Sequence, residues 1–98
     1  MASYLTLIKF TDSGMQNMAQ GGDRIDAMKD AAREAGGRVI FFYSLMGDYD
    51  LAVLYEMPND EALMKILLAT NARGHVRTTT MKAFTEDETR QLMASALS

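Results

Sequence analysis

Two runs, Arg38 to Met46 (RVIFFYSLM) and Tyr49 to Met57 (YDLAVLYEM), are separated only by Gly47-Asp48. Both are rich in β-branched, aromatic and aliphatic residues, and a glycine sits where a two-residue type II′ turn needs positive φ. The pattern predicts a β-hairpin in which Met46 opposes Tyr49, Leu45 opposes Asp50, Tyr43 opposes Ala52 and Phe41 opposes Leu54. Side chains alternate across a strand with period two. This register therefore puts Ile40, Phe42, Leu51, Val53 and Tyr55 on one face, and Val39, Phe41, Tyr43, Leu45, Asp50, Ala52, Leu54 and Glu56 on the other. Both sets are mostly apolar. An antiparallel sheet with one face in water alternates to polar residues on that face, so this hairpin needs cover on both sides.

The segments around it supply one cover. Tyr4 to Phe10 (YLTLIKF) reads as a strand, interrupted by Thr6 and Lys9 and closed by the turn-formers Thr11-Asp12-Ser13-Gly14. Met15 to Gly22 reads as loop with a short turn. Asp23 is placed to cap a helix whose stripe is Ile25, Met28, Ala32 and Ala35, and Gly36-Gly37 ends it. After the hairpin, Pro58-Asn59-Asp60-Glu61 starts a second helix running to about Asn71, with Asn59 as cap and two acids at the positive end of the dipole. Gly74 stops it, and Val76 to Phe84 (VRTTTMKAF) reads as a last strand. Thr85 to Glu88 (TEDE) has capping-box spacing, which predicts a final helix from Glu86 towards Leu97 with Leu92, Met93, Ala96 and Leu97 on its apolar side. The order is that of an α+β, ferredoxin-like β-α-β-β-α-β unit: a four-stranded antiparallel sheet with both helices on one face, plus a C-terminal helix.

That fold leaves the second face open. Four strands about 4.8 Å apart and about 18 Å long present roughly 350 Å² per face, and pairing two such faces hides on the order of 700 Å². The expected cover is a second copy, giving a homodimer or a higher homo-oligomer, because closed symmetric pairs are the commonest assemblies. The rival cover is the C-terminal helix folded across the face of its own chain.

Composition bounds the rest. With 98 residues the chain is expected to form one domain spanning 1–98. Hydrophobic residues make up 48% and charged ones 23%, ordinary globular values that argue against disorder. A formal charge of −3 gives no basic surplus for a phosphate backbone, so no nucleic-acid partner is expected. No apolar run approaches the roughly 20 residues of a membrane span, and the N-terminus lacks a basic segment before an apolar core. No membrane partner is expected. The absence of cysteine excludes disulfides and thiolate chemistry and suits a reducing cytoplasm, the expected location.

Gly47-Asp48-Tyr49-Asp50 is a G-x-Y-D turn, and with it the chain resembles the GYD-domain family. Tyr4 to Gly14, Gly37 to Tyr43, Glu56-Met57-Pro58 and Gly74 to Glu88 (GHVRTTTMKAFTEDE) resemble that family in order over nearly the whole length. The resemblance implies a ferredoxin-like domain of the dimeric α/β-barrel type, found in bacteria and archaea, without a settled biochemical role.

Candidate site residues follow from the register. Tyr43, Asp50 and Glu56 fall on one hairpin face, where a phenol and two carboxylates would bind a small polar ligand or move a proton if buried. The structural alternatives are a turn carboxylate accepting backbone hydrogen bonds, a solvated or ion-paired strand end, and a packed ring. His75, the sole histidine, is the only imidazole for acid–base work, yet it stands at a strand entry without a partner motif, and no metal site is expected. Lys9 and Arg77 interrupt neighbouring strands and would neutralise an anionic ligand, or else serve as charges that discourage aggregation. Thr78, Thr79 and Thr80 read as strand propensity, the glycine pairs form no phosphate-binding signature, and the methionines read as gap-fillers. No cofactor is indicated. The expectation is an oligomeric small-ligand-binding or accessory domain with a cavity between paired sheets. The alternative is a small cofactor-independent enzyme, monooxygenase- or isomerase-like, using the same cavity. The latter rests on fold analogy alone. An RNA-recognition module is disfavoured, since Arg38 to Leu45 lacks the glycine-aromatic pattern.

Overall fold

A computed structural model describes residues 1–97. Strand β1 (Ala2–Phe10) leads into a short helix α1 (Asp12–Gln16), a 3₁₀ turn (Met18–Gln20) and helix α2 (Gly21–Glu34). Strands β2 (Arg38–Ser44) and β3 (Leu51–Met57) form the hairpin, followed by helix α3 (Asp60–Ala72), strand β4 (Val76–Ala83) and helix α4 (Glu86–Ala96). The sheet is antiparallel in the order β2-β3-β1-β4. It is the ferredoxin-like α+β unit that the pattern predicts, with α4 appended.

Alternation along the strands decides which side is the core. Tyr4 and Ile8 of β1, Val53, Tyr55 and Met57 of β3, and Val76 of β4 are buried under Ala32 of α2 and Leu63 of α3. Thr6 lies fully buried among them, and its hydroxyl meets that of its register partner Thr80 on β4 at 2.8 Å, so this buried hydroxyl in the middle of the face is satisfied. Asn71 fastens the end of α3 to β4: its amide nitrogen donates to Thr78 Oγ1 at 2.8 Å and its carbonyl accepts from the Thr78 amide at 3.2 Å. Asn59 caps α3 by accepting from the Ala62 amide at 2.8 Å, and Thr85 and Glu88 close a capping box on α4.

Several expectations need correction. The hairpin register holds from Phe41↔Leu54 to Ser44↔Leu51, but Ile40 bulges out between Val39 and Phe41, which moves Val39 to the helix-covered face opposite Tyr55. The link is not a two-residue turn: the ladder stops at Ser44 and Leu51, and one further bond, from the Leu45 amide to the Asp50 carbonyl at 2.8 Å, spans a wider loop in which Gly47 still takes positive φ (137°). Met15 to Gly22 is not mainly loop. Thr11 caps α1 through the Gly14 amide, the 3₁₀ turn follows, and α2 begins at Gly21, so Asp23 lies inside its first turn and does not cap it. The rival cover is not adopted: α4 does not fold over the open sheet face. It carries no buried residue, and Leu92, Met93 and Leu97 are exposed.

Candidate functional site

The uncovered face is built by residues of the opposite phase. Arg38, Phe41 and Tyr43 on β2, Ala52, Leu54 and Glu56 on β3, Leu5, Leu7 and Lys9 on β1, and Arg77, Thr79 and Met81 on β4 share it by register. It is apolar between its ends: on the central strands Leu5, Leu7 and Leu54 are half-buried and the small Ala52 is buried, whereas on the edge strands Tyr43 is 60% exposed and Met81 44%. Its charges stand at the two ends. Lys9 and Arg77 are register partners at one end, and at the other Arg38 Nε donates to Glu56 Oε1 at 3.0 Å.

Tyr43, Asp50 and Glu56 are therefore not brought together within one subunit. Asp50 turns towards the end of β1, where its Oδ2 accepts from the Phe10 amide at 2.8 Å and its own amide donates to the Ile8 carbonyl at 2.8 Å. This final residue of the G-x-Y-D turn stitches the loop to β1. Lys9 and Arg77 do meet as neighbours, on the same face as Tyr43.

On the helix-covered side, α2 and α3 pack at one end of the sheet and leave a cleft of about 730 Å³ towards the other, where β1 and β2 finish and β3 and β4 begin. Its floor is Ile8, Phe10, Phe42, Leu51 and Val76, and its walls include Ile25, Met28 and Ala31 from α2 and Ile66, Ala69 and Thr70 from α3. Met15 and Met18, from the α1 and 3₁₀ segments, complete the cleft. Arg24, Lys65, Arg73, His75 and Asp50 are the ionisable groups in the lining.

The position of His75 comes from the Thr11-Asp12-Ser13-Gly14 motif. The Thr11 amide donates to the His75 carbonyl at 3.1 Å, Thr11 Oγ1 donates to the Gly74 carbonyl at 2.5 Å, and Ser13 Oγ lies 3.1 Å from His75 Nδ1. A Cβ at Gly14 would lie 2.0 Å from the His75 carbonyl oxygen, so only glycine permits this approach. The motif is a latch holding α1 against the start of β4. No carboxylate pairs with the His75 ring among the described residues, so the geometry lacks the third group that would orient an imidazole base.

One polar cluster has no counterpart among the residues singled out from sequence. The Tyr4 hydroxyl donates to Asp60 Oδ1, Lys82 Nζ lies 3.2 Å from the same oxygen, and the Lys82 ammonium sits 5.9 Å from the Tyr4 ring centroid. Burial first, then the hydrogen bond to the Asp60 carboxylate and its negative charge, push the Tyr4 phenol up to about 12. The Tyr4 hydrogen bond, with Lys82 beside it, holds the Asp60 carboxyl below the usual carboxylate range. A phenol held this firmly protonated is no base at neutral pH. The cluster anchors the start of α3 to β1 and β4. Alternation places Tyr4 correctly on a strand, but its partner is 56 positions away, a separation that no local pattern encodes.

Relatives agree with the architecture. A Thermus thermophilus protein named "Glutamine synthetase and cystathionine beta-lyase binding protein" is 27% identical over 84 residues, covering 85% of this chain and 88% of its own. The crystal structure of TTHA0845 from Thermus thermophilus superposes with a TM-score of 0.53 at 28% identity, over 87% of this chain and 95% of that one. The crystal structure of FFRP-DM1 shares the fold, with a TM-score of 0.60 at 20% identity over 86% of this chain and all (100%) of that one. The GYD domain family profile matches residues 4–93. Continuous from the first strand into the last helix, that match shows that the chain belongs to the GYD-domain family.

Proposed function

We propose that this protein is a homo-oligomeric accessory domain of the cytoplasm, which pairs through its open sheet face and acts by contacting other proteins. The carrying observation is the open face itself. Phe41, Tyr43, Leu54, Leu5, Leu7 and Met81 form one continuous apolar surface with charges only at its ends, and α4, the remaining element that could cover it within the chain, lies elsewhere. Apolar sheet faces of this kind are interfaces far more often than free surfaces. A second copy is the natural partner, since the same face on both subunits makes a closed pair. The charged ends suit such pairing. Arg38 already neutralises Glu56 within its own chain, whereas Lys9 and Arg77 leave two cations at the rim for a carboxylate of the opposing copy or of a ligand held between the sheets.

The accessory role is supported by the Thermus relative, whose name states that it binds glutamine synthetase and cystathionine beta-lyase. Pairing of the sheets would leave α4 free to engage such proteins, because its Leu92 and Met93 are exposed and its first turn is acidic. Sedimentation equilibrium of the purified protein, with and without glutamine synthetase from the same organism, tests both parts. Dimers or larger closed assemblies, and a heavier species when the enzyme is added, are expected. A single copy at all concentrations removes the pairing, and an enzyme that sediments unchanged removes this protein partner.

A further inference from the structure

The cleft between α2 and α3 lies on the opposite side of the sheet from the pairing face, so what it does is independent of oligomerisation. A volume of about 730 Å³ falls within the range of small-molecule sites, and several core residues remain half-open there. Phe10, Phe42, Met28 and Ile66 pack against the buried cluster on one side and look into the cleft on the other. At the opposite end of the same two helices Ala32 and Leu63 are buried, so the gap is local and not a general looseness of the helices.

The charge of the lining gives the occupant its chemistry. Arg24, at the start of α2, is held in place by donating to the Asn17 carbonyl at 3.0 Å. The side chains of Arg73, the C-terminal cap residue of α3, and Lys65, on the wall, make no hydrogen bond or ion pair among the described residues. The one carboxylate in the lining, Asp50, is already accepting the Phe10 amide. Arg24 comes from the start of α2 and Arg73 from the end of α3, which the strand order places at the same, open end of the sheet. An apolar trough with surplus cations at its mouth is complementary to a molecule with a hydrocarbon body and one anionic end.

We propose that this cleft binds a small amphipathic carboxylate, with its head between Arg24 and Arg73 and its apolar body along Phe10, Phe42, Met28 and Ile66. Decanoate is a suitable probe, with decyltrimethylammonium as the control of equal tail and opposite charge. Titration of the full chain, followed by amide and methyl NMR shifts, is expected to show saturable decanoate binding with perturbations at Phe10, Met28 and Ile66. The cationic control is expected to bind at least about tenfold more weakly, because its charge meets the arginines with the wrong sign. Arg73→Glu, at an exposed helix end, is expected to weaken decanoate about tenfold or more while leaving the fold intact. Ala69→Trp, which fills the wall from an exposed position, is expected to abolish saturation.

Equal binding of the two detergents, no saturation with decanoate, or binding unchanged in both variants would each overturn the proposal. None of these results depends on whether the sheets pair, which sedimentation reads separately.

Discussion

The two faces of the sheet are built from similar residues and have opposite fates. Under the helices, Val53 and Tyr55 of β3 are sealed, whereas Leu54 between them, half-buried, faces a surface on which the edge-strand residues Tyr43 and Met81 are exposed. Both faces also carry polar groups, but these are handled differently. On the covered face each polar group singled out above has a partner inside the chain, as in Thr6 with Thr80 and Tyr4 with Asp60, whereas on the open face Lys9 and Arg77 stand together at the rim. Burial in one subunit is therefore not set by hydrophobicity alone. It depends on whether the chain supplies a layer to cover that phase of the alternation, and here it does so once.

The largest test of this contrast uses neighbouring residues on the same strand. Val53→Asp puts an unpaired carboxylate in the core and is expected to abolish folding at 25 °C, since such burials cost several kcal/mol or more. Leu54→Asp, one position on, is expected to leave a folded subunit with native circular dichroism but to raise the dissociation constant of the pair more than about a hundredfold. If both unfold the subunit, the faces are not distinct.

Alkaline titration probes the covered face alone. Burial pushes both Tyr4 and Tyr55 up to about 12 from an ordinary 10.0, with Asp60 adding to the effect at Tyr4. Because the folded values are raised, the stability gained from keeping these phenols protonated is whole below about pH 10, and it drains away as the pH climbs through the folded values. Chemical denaturation followed from about pH 9 to about pH 12 is expected to show a midpoint that is steady at first and then falls steeply as the unfolded chain's phenols ionise ahead of the folded ones. A profile that stays flat up to about pH 12 would mean that neither ring is sealed. The smallest effect is expected for Tyr4→Phe, which removes the hydrogen bond to Asp60 while keeping the ring, at a cost of about 1–3 kcal/mol by equilibrium unfolding.

How much of this is legible in the sequence varies with the range of the interaction. The hairpin pairing from Phe41 to Ser44, the Asn59 cap and the Thr85 capping box rest on neighbours and periodicity, and they stand as read. The bulge at Ile40 has no local marker, and it is enough to reverse the phase of Val39. The glycine of Thr11-Asp12-Ser13-Gly14 reads as a turn-former, but it sits inside α1 because the carbonyl of His75, far along the chain, needs the space. A straight extrapolation of the hairpin puts Tyr43, Asp50 and Glu56 on one face. It holds for Tyr43 and Glu56 and fails for Asp50, whose carboxylate is drawn to the Phe10 amide of β1. The α2–α3 cleft is a property of how two helices diverge, which no stripe on either helix reports.

The most direct measurement is methyl NMR on a mixed sample in which half of the copies carry labelled leucine and methionine methyls and the rest carry labelled aromatic rings. Cross-relaxation between the methyls of Leu5, Leu54 or Met81 in one copy and the rings of Phe41 or Tyr43 in the other is expected, because two open faces closed on each other bring those groups into contact. Signals from the same methyls that show no contact with a second copy at high protein concentration, on a surface still open to water, would contradict the pairing on which the functional reading rests.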